Sequence, residues 1–95
     1  MTTFEQIDGT IFVRLSNPPV NGINYASRAV LSEALDVAEA EAGIGAVVII
    51  GAGKYFSCGA DMREFGTENG TRVPITPDLI LRMQAFRKPI VAALH

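Results

Sequence analysis

Ala46-Val47-Val48-Ile49-Ile50 is a run of five apolar residues, four of them β-branched, with no polar position on either side of a strand's alternation. A strand without a polar face reads as a parallel strand covered on both faces by helices. The residues before it supply such a helix. From about Tyr25 to Ala42, Leu31, Leu35, Ala38 and Ala42 recur on one helical face, while Arg28, Glu33, Asp36, Glu39 and Glu41 fall mostly off it. Asn24 or Ser27 can cap the start, and Gly43 and Gly45 end the helix. Earlier still, Phe4 to Asp8 and Thr10 to Leu15 are strand-like segments joined at Asp8-Gly9, a pair suited to the positive φ of a tight hairpin. The expected class is therefore α/β, a hairpin feeding a β-α-β unit. Asn17-Pro18-Pro19-Val20-Asn21-Gly22, between the hairpin and the helix, reads as an ordered loop, because two prolines remove backbone donors and fix φ.

Downstream, the pattern predicts a glycine-bearing turn after Gly51 and a short helix near Ala60 to Phe65. A polar, mobile surface loop follows from Gly66 to Thr76. Thr76-Pro77 reads as a cap with proline at the first helical position, opening a helix to about Arg87, and Pro89 to Leu94 reads as a second apolar strand. The sequence ends one residue later, with no crossover helix left to cover that strand. Ninety-five residues make at most one domain, and the expectation is that residues 1–95 form the amino-terminal part of one.

Composition narrows the function. Eight Lys and Arg are scattered among ten Asp and Glu, so there is no electrostatic footprint for nucleic acid. One Cys and one His cannot supply a zinc site or an internal disulfide. The start Met1-Thr2-Thr3-Phe4-Glu5 lacks the marks of a secretory or import signal, and no apolar run approaches the roughly 20 residues of a membrane span. No metal, no membrane and a cytoplasmic location are the expectations.

The chemistry concentrates in Gly51-Ala52-Gly53-Lys54-Tyr55-Phe56-Ser57-Cys58-Gly59-Ala60-Asp61-Met62-Arg63-Glu64-Phe65, where a strand passes through glycines into a helix start. Such a turn offers free backbone N–H groups to an anion or a polarised carbonyl. It is not a Walker A loop, since Val48 and Tyr55 stand where Gly and Ser or Thr are needed, and a dinucleotide fingerprint begun at Gly51 fails at Phe56. Gly51 to Lys54 alone would fit a connection that merely turns the chain.

Phe56-Ser57-Cys58-Gly59-Ala60-Asp61-Met62-Arg63-Glu64 closely resembles Phe-Ser-Ala-Gly-Ala-Asp-Ile-Lys-Glu of the enoyl-CoA hydratase/isomerase (crotonase) family. Asn17-Pro18-Pro19-Val20-Asn21-Gly22-Ile23-Asn24 is similar to that family's Asn-Pro-Pro-Val-Asn-Ala-Ile. Arg87-Lys88-Pro89-Ile90-Val91-Ala92-Ala93-Leu94-His95 is similar to its Lys-Pro-Val-Ile-Ala-Ala-Ile. The Asn-Pro-Pro-Val-Asn form is particularly similar to the hydratase half of bifunctional β-oxidation enzymes.

The resemblance implies a crotonase-like α/β fold of ββα units and an acyl-CoA thioester substrate, with coenzyme A entering as part of that substrate and no separate cofactor. It implies that Ala60 donates one of two backbone N–H groups to the thioester oxygen. It also places coenzyme A contacts at Gly22 and Ile23, at Lys54 and Arg63 near the phosphates, and at Cys58, Asp61 and Met62 near adenine and pantetheine. Gly22 stands where the family has alanine, which should loosen the loop. The family's trimers and dimers of trimers imply a homo-oligomer for the full-length form.

Several residues carry two readings each. Cys58 is a nucleophile or a small buried hydrophobe. Asp61 is a general base or an acidic group stabilising a helix end. Glu64 is expected to face solvent, Arg87-Lys88 to complement the end of the preceding helix, and His95 to take no part in catalysis. By resemblance, the second oxyanion donor and the catalytic glutamates follow the Pro89–Leu94 strand, so the 95-residue chain alone is expected to be nearly inert. The alternative is a non-catalytic acyl-CoA-binding or interaction module, or a plain α/β structural fragment.

Overall fold

The computed structural model describes residues 1–94; His95 lies outside the described residues. β1 (Thr3–Ile7) and β2 (Thr10–Leu15) form the expected hairpin, antiparallel with Thr3 opposite Arg14, turning at Asp8 with φ 53°. α1 (Tyr25–Ala40) then carries the chain across to β3 (Ala46–Gly51), which pairs parallel with β2. After the glycine turn come a 3-10 turn at Met62–Glu64, the short helix α2 (Glu68–Thr71) and α3 (Thr76–Gln84). β4 (Ile90–Ala93) closes the order β1-β2-β3-β4, parallel to β3.

The period-2 alternation of the strands meets the 3.6 period of α1 on one face of the sheet. Ile11, Val13 and Leu15 from β2, Val47 and Ile49 from β3, Leu31, Ala34, Leu35 and Ala38 from α1, and Leu79 from α3 form a single buried core. Asn24 supplies the cap of α1, its Oδ1 accepting from Ser27 N at 2.9 Å. The helix stops at Ala40, so Ala42 is exposed rather than on the buried face, and Lys88 donates to the freed carbonyls of Ala38 and Glu41. Lys88 therefore complements the end of α1, not of α3; its position one turn of chain before β4 brings it back beside the earlier helix.

β3 departs from its expected environment. Val47 and Ile49 are buried against α1, but Ala46, Val48 and Ile50, on the opposite face, are only half-buried among the described residues. Ile7 and Val91 on that same face are 51% and 50% exposed. The sheet is covered on one face; the other mixes the apolar residues of β3 and β4 with Thr3, Glu5 and Arg14 of the hairpin.

Two further differences concern the segment after the turn. The stretch from Gly66 to Thr76 is not structureless: it holds α2, and its carbonyls at Asn69, Arg72 and Pro74 accept from the buried Arg28 guanidinium. Ile75, not Thr76, occupies the cap position of α3, without a side-chain cap bond, which puts Thr76 and Pro77 inside its first turn. Gly51 is where the fold most needs glycine. A Cβ there would stand 2.6 Å from Phe56 Cα, because the turn folds directly back over the end of β3.

Candidate functional site

The Asn-Pro-Pro-Val-Asn loop and the glycine turn lie side by side at the end of β2 and β3, where Ala52 N donates to Leu15 O at 2.7 Å. Asn21 joins them. Its side chain is buried, with Nδ2 donating to Ala52 O at 2.9 Å and to Tyr55 O at 2.8 Å, while Oδ1 accepts from Asn17 N at 2.9 Å. Its φ of 55° lies in the left-handed region that asparagine tolerates better than most residues. Ser57 adds a second tie, donating from Oγ to Asn21 O at 2.6 Å and accepting from Gly59 N at 3.1 Å. Cys58 N donates to Val20 O at 3.0 Å.

Asn17 extends the junction to Asp61. Asn17 Nδ2 donates both to Gly22 O and to Asp61 Oδ2, each at 2.8 Å. Arg63 folds back on the same carboxylate, with Nε 2.9 Å from Oδ1 and Nη2 2.8 Å from Oδ2, and Nη2 also reaches Asn17 Oδ1 at 3.0 Å. Asp61 Oδ1 further accepts from Arg63 N at 3.0 Å, the N-cap bond of the 3-10 turn. Asp61 is thus the buried centre of a clamp, and its carboxylate oxygens are fully engaged. Of its two sequence readings, the structure supports the helix-end one. Gly22 packs against it closely: an added Cβ would meet Asp61 Cα at 3.1 Å.

The Arg63 guanidinium holds the Asp61 carboxyl well below the usual carboxylate range; burial opposes this, and the Asn17 amide and the Arg63 backbone N–H add to it. A folded-state value below the unfolded one means that this stabilisation is complete above the ordinary aspartate pKa of about 4 and is lost as pH falls toward the depressed value. Asp61→Asn should therefore show a shallower loss of melting temperature between about pH 5 and pH 2 than the parent chain. Equal acid dependence in the two proteins would remove Asp61 from the clamp's energetics.

Ala60 sits between the clamp and open space. Its parallel bridge with Ile23 is made by the neighbouring groups, Ile23 N donating to Gly59 O at 2.7 Å and Asp61 N to Ile23 O at 3.2 Å. That pattern directs the amide of Ala60 itself away from Ile23, and no acceptor among the described residues meets it. Gly59, at φ 99°, makes the bend that permits this. Ala60 lines a cavity of about 380 Å³ whose other walls include Ile23, Leu31, Ile49, Phe56 and Met83.

The remaining sequence candidates divide. Gly22, Ile23, Ala60, Asp61 and Arg63 are brought together by the bonds above. Lys54 is exposed, its ammonium 6.0 Å from the centre of the Tyr55 ring, and Met62 is 76% exposed. Cys58 is exposed, which overturns its reading as a buried hydrophobe. Glu64 is likewise not solvent-facing. Both its oxygens accept from Tyr25 N at 2.9 Å, and Oε1 accepts from Arg28 Nη1 at 3.0 Å, an ion pair with 4% and 16% side-chain exposure. Arg28 is buried despite falling off the apolar stripe of α1, because its guanidinium finds three carbonyls and a carboxylate in the segment before α3. Asn21 was not singled out by sequence reasoning; the available signal was Asn-Gly after Pro-Pro, a turn residue suited to positive φ.

The family model described as enoyl-CoA hydratase/isomerase matches residues 5–95. A probable enoyl-CoA hydratase of Bacillus subtilis is 37% identical over 86 residues, covering 85% of this chain and 33% of that protein. The peroxisomal bifunctional enzyme of Danio rerio is 36% identical over 97 residues, covering 100% of this chain and 13% of that one. The crystal structure of an enoyl-CoA hydratase from Mycobacterium tuberculosis superposes with a TM-score of 0.84 at 26% identity, over 99% of this chain and 37% of that one. The chain thus spans about a third of the length of the Bacillus subtilis protein. Over that span the chain has the crotonase fold, and it belongs to the enoyl-CoA hydratase/isomerase family.

Proposed function

We propose that this chain forms one side of an acyl-CoA site, with the Ala60 N–H holding the thioester oxygen, in an enzyme that hydrates or isomerises enoyl-CoA. The observation that carries the reading is the Ala60 amide, which has no acceptor among the described residues although both neighbouring backbone groups are bonded, at the edge of an apolar cavity. When water adds to an α,β-unsaturated thioester, electron density moves onto the thioester oxygen. A donor already aimed there stabilises that charge without reorganisation. The Asn17–Asp61–Arg63 clamp keeps the donor aimed, since it holds the residue after Ala60 and the loop carrying Ile23 in one network.

Coenzyme A would lie along Gly22, Ile23, Lys54, Cys58, Met62 and Arg63. Lys54 offers its whole charge to phosphate, while Arg63 spends Nε and Nη2 on Asp61 and Asn17 and retains Nη1. The proposed setting is fatty acid β-oxidation in the cytoplasm, in a homo-oligomer of the full-length form, without a resident cofactor. A second reading, an acyl-CoA-binding module without catalysis, is favoured by the cavity lining, which among the described residues holds no titratable side chain.

Titration of the 95-residue chain with crotonyl-CoA tests the site. Saturable binding is expected, weakened about tenfold in Ala60→Pro, which removes one hydrogen bond to the ligand while the two bonds of the Ile23 bridge use other groups. Circular dichroism must show both proteins folded, and an ester in place of the Ala60 amide provides a variant without the proline ring. A folded parent chain that binds no crotonyl-CoA would exclude the proposed site.

A further inference from the structure

We infer that Arg28 and Glu64 are positioning residues that aim the Ala60 N–H, by closing the Ile23–Ala60 bridge on the side opposite the Asp61 clamp. This rests on the Ala60 reading above and deepens it by naming the groups that fix the donor's direction.

The bridge is a weak device by itself. Its two backbone bonds, Ile23 N to Gly59 O and Asp61 N to Ile23 O, lie outside the sheet, where local opening costs little. The Asn17–Asp61–Arg63 network secures the end at Gly22. At the other end the two segments diverge, Ile23 leading through Asn24 into α1 and Ala60 through Asp61 into the 3-10 turn. Glu64, the last residue of that turn, rejoins them. Both its carboxylate oxygens lie 2.9 Å from Tyr25 N, the first N–H of α1 and one that no carbonyl of the helix can accept. Asn24 takes Ser27 N in the same turn, so a neighbouring side chain and one 39 residues further along share the open donors of the helix start. The helix dipole favours the negative charge of Glu64 there.

Arg28 keeps that carboxylate in place. Its guanidinium donates from Nη1 to Glu64 Oε1 at 3.0 Å, from Nε to Pro74 O at 2.7 Å, and from Nη2 to Asn69 O at 2.6 Å and Arg72 O at 3.2 Å. The Arg72 guanidinium in turn stacks 4.2 Å from the centre of the Tyr25 ring. None of residues 65–78 is buried, so polar contacts with the first turn of α1, Arg28 foremost, fasten this stretch to the body of the fold. Only Asp61, Met62 and Arg63 separate Ala60 from Glu64. Release of Glu64 frees the exit of the 3-10 turn, Asp61 N draws away from Ile23 O, and the amide of Ala60 turns with it.

Amide hydrogen exchange on the ligand-free 95-residue chain tests the lock directly, with circular dichroism confirming the fold. In Arg28→Gln and Glu64→Ala, protection at Ile23 and Asp61 is expected to fall at least about tenfold further than protection at the amides of β2 and β3. Arg28→Lys keeps a charge for Glu64 but offers it from one point, without the fork that reaches three carbonyls. It should return Ile23 and Asp61 to within about threefold of the parent, while Gly70 and Arg72, bonded to Thr67 O and Asn69 O, stay unprotected. Should Glu64→Ala unfold, Glu64→Gln, which retains one acceptor for Tyr25 N, takes its place.

Crotonyl-CoA labelled at its carbonyl carbon then reports the donor by NMR. At saturation the bound carbonyl should lie downfield of its free position in the parent chain, as the Ala60 bond draws electron density onto the oxygen, and Arg28→Gln should lose at least about half of that displacement. Equal loss of protection across the bridge and the sheet would reduce the pair to overall stability and overturn the inference, as would an unchanged bound carbonyl in folded Arg28→Gln. A folded parent chain that leaves the labelled carbonyl at its free position would instead remove the acyl-CoA reading, and with it the role assigned to the lock, even where the exchange pattern holds.

Discussion

Asn21→Ala is expected to lower folding stability by about 3–5 kcal/mol, the largest loss from any single side chain in the loop. Three hydrogen bonds end at its amide group, two donated to Ala52 O and Tyr55 O and one accepted from Asn17 N. Truncation leaves those backbone groups beside a buried gap, at about 1–2 kcal/mol each when water cannot replace the partner. Alanine also takes up a left-handed φ less readily than asparagine does. A chain of this size has a total margin of about 5–14 kcal/mol, so the variant should unfold at a much lower urea concentration. Asn21→Gly separates the causes: it accepts the φ but lacks the amide, and should recover no more than about 1 kcal/mol. A loss below about 1 kcal/mol for Asn21→Ala would mean that water satisfies Ala52 O and Tyr55 O and that the loop is not pinned through this residue.

The effect on function should exceed the effect on fold. Asn21 holds the turn at Ala52 and Tyr55, Ser57 ties the next stretch back to Asn21 O, and the bridge from Ile23 fixes Gly59 and Asp61. Ala60 is thus positioned from both sides by groups that all depend on the same loop. A donor displaced by about 1 Å loses much of its value to a developing oxyanion.

What the sequence disclosed of this fold came from periodicity and punctuation. Leu31, Leu35 and Ala38 declared α1, the apolar run declared β3, and Asp8-Gly9 declared the hairpin, because each pattern matches one local geometry. Long-range polar partners were invisible. Arg28 sits off the apolar stripe and so reads as a surface charge, yet it is buried because the segment before α3, over forty residues later, brings it carbonyls from Asn69, Arg72 and Pro74. Glu64 was misplaced for the same reason, its partners being Tyr25 N and Arg28 on α1. The motif located Ala60 but not the reason its amide is left over, which lies in the register of a two-residue bridge. Cys58 shows the limit of composition: a lone cysteine is usually buried, but this one lies exposed in the glycine turn.

The 95-residue chain mixed with crotonyl-CoA is expected to bind it without measurable hydration, at a rate at least about 10²–10⁴ below that of an enzyme with a positioned acid–base pair. Ala60 can stabilise charge on the thioester oxygen, but water must also lose a proton and the α-carbon must gain one. Each transfer needs a group within hydrogen-bond reach. The carboxylates near the turn are not free for that work. Asp61 accepts from Arg63 and Asn17, and the Arg63 guanidinium holds it far too weak a base for a transfer near neutral pH. Glu64 accepts from Tyr25 N and Arg28. Loss of the enoyl absorbance, followed over hours at high protein concentration, provides the measurement. Turnover within tenfold of a complete hydratase would demand that one of these pairs open on substrate binding, and Asp61→Asn and Glu64→Gln would show which. Binding without turnover would instead assign this segment the oxyanion donor and the acyl wall. The proton-transfer groups would then have to come from polypeptide outside these 95 residues, in keeping with the third of its hydratase relative that the chain spans.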